Sequence, residues 1–191
     1  MLSKKKGLIF VVSAPAGTGK TTLVRMLVGE FHNVVESISY TTRKPRGKEI
    51  AGKDYNFISM QEFEEKIKEG EFLEYAKVFD NYYGTSRKVV DAQLEKGKHV
   101  VLVIDTQGAL QLKKDLDAIF IFISPPSLEE LKSRLCRRSS ESEEAIDYRL
   151  SWAEKEMSLK EKYDYHIVND KLKAAYEVLR SILIAEEHKN R

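Results

Sequence analysis

Residues 13–22, SAPAGTGKTT, decide how this chain is interpreted. They follow the apolar run Leu8 to Val12, which is rich in strand-forming residues, and they open a segment up to Leu27 with apolar residues at helical spacing. A buried strand, a glycine-rich loop and a helix in this order form the context of a phosphate-binding P-loop. The stretch therefore predicts a loop that holds the phosphates of a nucleoside triphosphate.

Each residue type in the loop has a task. Gly17 and Gly19 let the backbone curl so that its N–H groups converge on phosphate oxygens, and the following helix N-terminus adds a favourable dipole. Lys20 is expected to reach the β- and γ-phosphates, and the Thr21 hydroxyl to face Mg²⁺, partly through water. The usual pattern begins with glycine, whereas this sequence has Ala14.

One competing interpretation of the same stretch is a secretory leader. Lys4, Lys5 and Lys6 resemble its charged start, and Ala14-Pro15-Ala16 loosely resembles its cleavage site. The continuous apolar core, Leu8 to Val12, is shorter than the roughly 7 to 15 residues that such a segment needs. The order of strand, loop and helix is therefore the better interpretation.

Composition limits the class of protein. The chain has 191 residues, enough for one or at most two domains, and 42% of them are hydrophobic and 32% charged. A net charge of +2, with no basic stripe among aromatic residues, argues against nucleic-acid or membrane partners. No apolar run approaches the roughly 20 residues that cross a bilayer. The single cysteine, Cys136, cannot form an internal disulfide, so we expect a cytoplasmic protein, with monomer and homo-oligomer both open.

Further apolar runs alternate with helical patterns along the chain. Besides 8–12, the strand candidates span residues 99–105, 118–123 and 165–168, and the helix candidates span 88–96, 109–115, 127–138 and 171–187. Apolar strands that alternate with helices indicate a parallel sheet covered by helices on both faces. The sequence therefore predicts an α/β fold of the P-loop NTPase type.

Two segments interrupt this alternation. Residues 34–86 contain several strand-like pieces and one helix, opened by the capping box Ser59 to Glu62, and indicate an α+β insertion. Residues 139–162 are strongly polar and helical, with a second capping box from Ser140 to Glu143. We therefore divide the chain into a P-loop core domain (1–36, 87–126 and 163–191), an insertion (37–86) and a helical lid (127–162).

Polar residues of the insertion indicate a second phosphate site. Arg43 and Arg46 are three residues apart beside a turn, so their two guanidinium groups could clamp a phosphate. Tyr55 and Tyr83 add hydroxyl donors that bring no charge. We expect this segment to bind a second, phosphate-bearing substrate.

Carboxylates of the same segment indicate which base that substrate carries. Glu71 and Glu74 lie in GEFLEYA, and Thr85 follows in NYYGTS. A carboxylate only accepts hydrogen bonds, and guanine offers adjacent N1–H and amino donors, whereas adenine presents an acceptor at N1. Because a polar site that the wrong base leaves unpaired discriminates strongly, the insertion predicts recognition of guanine.

Together these motifs resemble those of the guanylate kinases. The resemblance runs from about Gly7 to the C-terminal helix and rests on SAPAGTGKTT, SYTTRKPRGKE, GKDYNF, EFLEYAKVFDNYYGTS, IDTQG, IFISPPSLEELKSRL and IVND. In that family alanine also occurs at the first loop position. The resemblance implies transfer of the γ-phosphoryl group of ATP to GMP, with Mg²⁺ as the metal. Because no residue clearly monitors the ribose 2′-hydroxyl, we expect deoxy-GMP as a second acceptor. The products, ADP and GDP, place the reaction in purine nucleotide metabolism and GMP recycling.

The resemblance also implies roles for individual residues. It assigns ATP to the loop residues Ala14, Pro15, Ala16, Gly17, Thr18, Gly19, Lys20 and Thr21, and the adenine end to Asn169. It assigns the GMP phosphate to Arg43, Arg46, Tyr55 and Tyr83, and the guanine base to Ser39, Glu74, Thr85 and Asp105. The catalytic residues that it implies are Lys20, Arg134, Arg138 and Arg149.

The arginines of the lid have a plainer interpretation as well. Arg134 and Arg138 are four residues apart, so they share one face of a helix, which could simply be solvated. The resemblance favours the other interpretation, in which these two and Arg149 reach the ATP phosphates when the lid closes. Arg137 has no counterpart in the family, and we expect it on the surface.

One departure from the family pattern concerns the metal. Asp105 follows a buried run, where an acid is costly unless it has a partner or a task. The family commonly has a second acid two residues earlier, and that position is Val103 here. We therefore expect a thinner metal shell and name only Thr21 as a residue near Mg²⁺.

Two other functions compete with this one. Guanylate-kinase-like domains also serve as interaction modules without catalysis, but such modules typically lack an intact phosphate loop or lid. This chain retains Lys20, Thr21 and the lid arginines. The second alternative is a P-loop phosphotransferase that acts on a different nucleotide.

Overall fold

The structure, a computed structural model, describes residues 6–78, 80–138 and 143–190. The strands are β1 (Ile9–Ser13), β2 (Val34–Ser37), β3 (Tyr40–Thr41), β4 (Asn56–Phe57), β5 (Phe72–Val78), β6 (Asn81–Ser86), β7 (His99–Val103), β8 (Ile119–Ser124) and β9 (Tyr165–Val168). The helices are α1 (Lys20–Glu30), α2 (Met60–Lys68), α3 (Arg87–Glu95), α4 (Thr106–Leu112), α5 (Leu128–Arg138), α6 (Glu143–Met157) and α7 (Leu172–Glu187). Within these ranges no helix combines the length and the apolar character that a membrane crossing requires.

Five parallel strands form the main sheet, in the order β2-β7-β1-β8-β9. Side chains of α1 and α7 cover one face, where Leu23 and Leu179 join the core. Helices α3 and α4 cover the other face through Val90 and Leu112. The predicted α/β fold with helices on both faces is confirmed.

Burial on both faces explains why the central strands are continuous apolar runs. Every residue of β1 and of β8 is buried. Val12 of β1 lies opposite Val103 on one side and Ile121 on the other. Parallel strands in this register end at the same edge of the sheet, so the loops that follow β1 and β7 meet there.

A second sheet lies in the insertion, in the order β4-β3-β6-β5. Strands β5 and β6 are antiparallel, and β3 pairs in parallel with β4. Helix α2 covers this sheet with Phe63, whose ring stacks on Phe72 at 4.5 Å and on Tyr82 at 5.3 Å between centroids. The aromatic contacts therefore give the insertion a small core of its own.

The segment that we predicted as a lid, residues 127–162, contains α5, α6 and a short 3-10 turn, Lys160–Lys162. Leu131, Leu135 and Ile146 lie in a small apolar cluster between the two helices, so this polar segment also has a core. The second capping box that we predicted includes residues 140–142, which lie outside the described residues.

The start of α4 differs from the prediction. The sequence pattern places it at Ala109, whereas the helix begins at Thr106. Asp105 is its N-cap, since the carboxylate accepts a hydrogen bond of 2.8 Å from the backbone N–H of Gly108. Strand β7 therefore ends at Val103, two residues before the predicted end.

The capping box at the start of α2 offers a test of local stability. Ser59 Oγ accepts from the N–H of Glu62 at 3.1 Å, and the Glu62 carboxylate accepts in turn from the N–H of Ser59 at 2.8 Å. We expect Ser59→Ala to lower the free energy of unfolding by about 1 kcal/mol, because one backbone donor loses its partner. Urea denaturation measures this change.

Ser181→Ala is the matched control, because the exposed Ser181 in α7 only bonds the carbonyl of Glu177 within its own helix. This substitution is expected to be neutral or slightly stabilising. Equal losses in the two variants would contradict the role of the capping box.

Candidate functional site

The loop between β1 and α1 is built around two glycines. Gly17 and Gly19 have φ angles of 89° and 96°, a backbone region that favours glycine. A Cβ atom on Gly19 would lie 2.7 Å from Nδ2 of Asn169, so any larger residue would displace this amide. The predicted loop conformation thus depends on both residues.

Lys20 begins α1, and its side chain lies across the ends of β1 and β7. Its Nζ donates to the carbonyl of Ile104 at 3.3 Å and to that of Ala14 at 3.5 Å. Burial lowers the pKa of Lys20, and the carboxylates of Glu156, Asp105 and Glu36 oppose this shift. A partly desolvated cation at this edge of the sheet is suited to a polyphosphate.

Asn169, which follows β9, forms a hydrogen bond with the phosphate loop. Its Nδ2 donates to the carbonyl of Thr18 at 2.7 Å. Arg134 of α5 donates to the carbonyl of Asn169 at 3.0 Å and to the carboxylate of Glu130 at 2.8 Å. Hydrogen bonds of Asn169 therefore connect the phosphate loop, the end of β9 and helix α5 of the lid.

A cavity of about 250 Å³ lies between the loop, the insertion and the lid. We call it the central cavity. The predicted residues that line it are Ala14, Ala16, Lys20, Ser39, Arg46, Tyr55, Glu74, Tyr83, Asp105 and Arg149. Residues predicted for ATP and for GMP therefore face the same space.

Other predicted residues lie outside the lining of the central cavity. They are Pro15, Gly17, Thr18, Gly19, Thr21, Arg43, Thr85, Arg134 and Asn169. Thr85 and Arg43 lie behind the lining and contact residues that form it. Arg138 ends α5, and its side chain is outside the described part of the structure.

Glu74 is the most buried carboxylate of the lining, with 6% of the residue exposed. Thr85 Oγ1 donates to Glu74 Oε1 at 2.6 Å. A Cβ on Gly108 would lie 2.4 Å from the other carboxylate oxygen, so α4 leaves room for Glu74 only because it has glycine there. Burial raises the pKa of Glu74 to about 7, and the charge of Asp105 acts in the same direction.

Arg43 and Arg46 are linked through a third residue, Glu49. Arg43 is 8% exposed, and its guanidinium donates to both oxygens of Glu49 at 2.7 Å. The backbone N–H of Arg46 donates to the same carboxylate at 2.8 Å. The Arg43 guanidinium also lies 4.9 Å from the centroid of the Tyr55 ring. Glu49 therefore orients Arg43 beside the cavity.

Sequence reasoning missed three residues of this site, which are Glu49, Trp152 and Glu156. Trp152 and Glu156 lie on α6 and line the central cavity. Burial raises the pKa of Glu156 to about 7, and its carboxylate accepts from Thr106 Oγ1 at 3.4 Å. The signal in the sequence is weak. Arg149, Trp152 and Glu156 have the spacing i, i+3 and i+7, which places them on one face of a helix.

The sequence and the fold are similar to those of known proteins. A family model described as guanylate kinase matches residues 6–186. The chain belongs to the guanylate kinase family. It is 62% identical over 185 residues to a guanylate kinase of Protochlamydia amoebophila (strain UWE25), which covers 97% of this chain and 94% of the relative. For a guanylate kinase of Clostridium tetani (strain Massachusetts / E88), the identity is 52% over 184 residues, with 96% and 88% covered.

A solved structure supports the same assignment. The crystal structure of guanylate kinase from Anaplasma phagocytophilum matches with a TM-score of 0.82 and 38% identity, covering 98% of this chain and 89% of that one. The resemblance inferred from the sequence motifs is therefore confirmed over nearly the whole chain, and with it the assignment to an enzyme family that phosphorylates GMP with ATP.

The raised pKa of Glu74 predicts a pH-dependent cost in stability. A carboxyl whose pKa rises from 4.5 to about 7 on folding destabilises the folded state as pH increases through that window. We expect Glu74→Gln to remove the cost, since glutamine can still accept from Thr85. Relative to the wild type, its free energy of unfolding should rise by about 1–3 kcal/mol between pH 5 and pH 8.

Urea denaturation at both pH values measures the difference. Glu71→Gln is the control, because Glu71 is exposed and its hydrogen bond with Lys66 lowers rather than raises its pKa. A constant difference between the Glu74→Gln variant and the wild type at the two pH values would contradict the prediction.

Proposed function

We propose that the protein transfers the γ-phosphoryl group of ATP to GMP, and also to deoxy-GMP, in the central cavity. The observation that carries the proposal is that Lys20 of the phosphate loop and Glu74 of the insertion line the same space of about 250 Å³. One side is suited to a triphosphate, and the other to a guanine base.

On the acceptor side, Glu74 would read the base. Its ionised carboxylate can accept from both N1–H and the amino group of guanine, while Thr85 holds it in place. Ser39 and Asp105 line the cavity beside it and supply further polar contacts. We assign the GMP phosphate to Arg46, Tyr55 and Tyr83 of the lining and to Arg43 behind them.

On the donor side, we assign the ATP phosphates to the loop residues 14–21, with Lys20 as the cation. Asn169 supports the loop through Thr18, and we assign it to the adenine end on the family resemblance. The residues present also fit a hydrated Mg²⁺, because the exposed Thr21 borders a cavity that Glu36 also lines, and a hydroxyl and a carboxylate suit this ion. Bound with ATP, Mg²⁺ would neutralise part of the phosphate charge.

The reaction needs little acid–base chemistry from the chain. A phosphate oxygen of GMP is already anionic near neutral pH, so the task is to align donor and acceptor and to balance charge on the transferred group. Lys20 and Arg149 face the central cavity, and we propose that Arg134 and Arg138 join them when the lid closes. Closure would also exclude water as a competing acceptor.

We place this activity in the cytoplasm, in purine nucleotide metabolism and the recycling of GMP. The use of a single cysteine, Cys136, supports a reducing compartment. The near-balanced charge supports small-molecule substrates rather than nucleic-acid or membrane partners.

A panel of acceptors tests the proposed function. ADP release from Mg-ATP should be fast with GMP and deoxy-GMP and slow with AMP, CMP, UMP and dTMP, because only guanine offers paired donors to Glu74. Lys20→Ala is the control that separates the enzyme from a contaminant. It should lower turnover by at least about 10²-fold, since it removes charge at the transferred group. Rapid turnover with a different acceptor, or by the Lys20→Ala variant, would refute the proposal.

Substitution of Glu74 tests which residue reads the base. We expect Glu74→Gln to raise the KM for GMP by about 10²-fold or more, because the glutamine amide presents a donor to a donor of guanine. The KM for ATP should change little, since Glu74 belongs to the insertion. Steady-state kinetics with each substrate varied in turn measures both constants, and equal increases would show that another residue reads the base.

A further inference from the structure

A second cavity, of about 260 Å³, borders the first turn of α1. Thr21, Glu36, Ser37 and Val103 are among the residues that line it. Neither the sequence motifs nor the family resemblance gives Glu36 a role. Its place beside the residue proposed for the metal raises the question of what a carboxylate does there.

The register of the main sheet explains how Glu36 reaches this cavity. Strand β2 pairs in parallel with β7, and Glu36 lies opposite Val101. Residues opposite each other on paired strands point to the same face, and so does Val103, two residues further along β7. Helix α1 covers that face, where Val101 and Leu23 share one apolar core. Glu36 therefore faces the start of α1. It lies beside Val101, and Val103 is the next residue of β7 on the same face.

The surroundings of Glu36 are costly for an acid. Val34, on the same face of β2, lies in the apolar core, and Glu36 itself is half-buried. Arg25 and Lys20 both attract it, but Arg25 forms a salt bridge with Asp54, and Nζ of Lys20 donates to the carbonyls of Ala14 and Ile104. In the ranges that the structure describes, Glu36 has no salt bridge of its own. A half-buried carboxylate without a direct ion pair is stabilised further when an additional cation approaches it.

Ser37, the next residue of β2, does not share this position. It lies opposite Leu102 of β7, which packs on the other face of the sheet, so its side chain points away from Glu36 and α1. Glu36 is therefore the residue of β2 whose carboxylate faces the cavity that Thr21 borders.

We propose that Glu36 orients the water shell of the Mg²⁺ that arrives with ATP, and that it takes the place of the acid that Val103 does not provide. The proposal rests on the proposed function, since ATP brings the metal. Mg²⁺ keeps several waters and is held by one or two carboxylates and substrate phosphates. The described residues include no group of three or more His, Cys, Asp or Glu side chains suited to hold a metal unaided. Glu36 is therefore a positioning residue that acts through water.

The affinity for ATP with and without metal tests the proposal, and GMP is left out so that no turnover occurs. Calorimetric titration of the full chain with ATP in Mg²⁺ and in EDTA gives the factor by which the metal tightens binding. In Glu36→Gln we expect this factor to fall by about tenfold or more, because residues that orient metal-bound groups contribute about that much to metal affinity. Affinity in EDTA should be unchanged or slightly tighter, since a negative charge is removed.

A rescue variant distinguishes placement of a carboxylate from a general effect. Glu36→Gln combined with Val103→Asp returns an acid to the same cavity and should restore most of the lost factor. Glu95→Gln, an exposed acid on α3, is the control for net charge and should leave the factor unchanged. Thermal unfolding of each variant checks that the fold is intact.

The proposal is overturned when the factor stays the same in Glu36→Gln, whether the affinity for ATP is unchanged or falls equally in Mg²⁺ and in EDTA. An equal fall would make Glu36 purely structural. A failure of the proposed function looks different, because the wild type itself would then show no metal-dependent affinity for ATP. That result would remove the metal from the mechanism and this role of Glu36 with it.

Discussion

Lys20 is a half-buried cation among carboxylates, and the site is organised around it. Its Nζ donates to the carbonyls of Ala14 and Ile104, and the charges of Glu156 and Asp105 attract it. These groups come from the end of β1, the segment after β7 and the lid helix α6. A buried charge is stable only when such partners surround it, so the position of Lys20 depends on the core and the lid at once.

The insertion is joined to this centre through α4. Asp105 caps that helix by accepting from Gly108, and the lack of a side chain on Gly108 leaves space for Glu74. Thr85 fixes the other carboxylate oxygen of Glu74. The proposed base reader therefore sits on the insertion, but its orientation depends on one glycine of the core.

The sequence predicts strands that are buried along their whole length. It does not predict contacts between residues that are far apart in the chain. Strands β1 and β8 could be predicted because every residue is buried and apolar. The predicted start of α4 was wrong because the strand pattern was extended to Asp105, whereas the side chain of this residue caps the helix. Glu156 was missed because α6 is polar along most of its length, and its contact with Thr106 joins two distant parts of the chain. No local pattern encodes such an encounter between residues 50 positions apart.

Two carboxyl groups with a pKa of about 7, Glu74 and Glu156, border the same cavity. Because burial is the main cause of both shifts, the folded protein carries a cost at neutral pH that a ligand can relieve. Under the proposed function, a guanine that donates two hydrogen bonds to Glu74 favours its ionised form and lowers its pKa. Binding of the base is then linked to loss of a proton from Glu74. The cost of ionising Glu74 in the empty site thus contributes to selectivity, since a base without paired donors does not stabilise the ionised carboxylate.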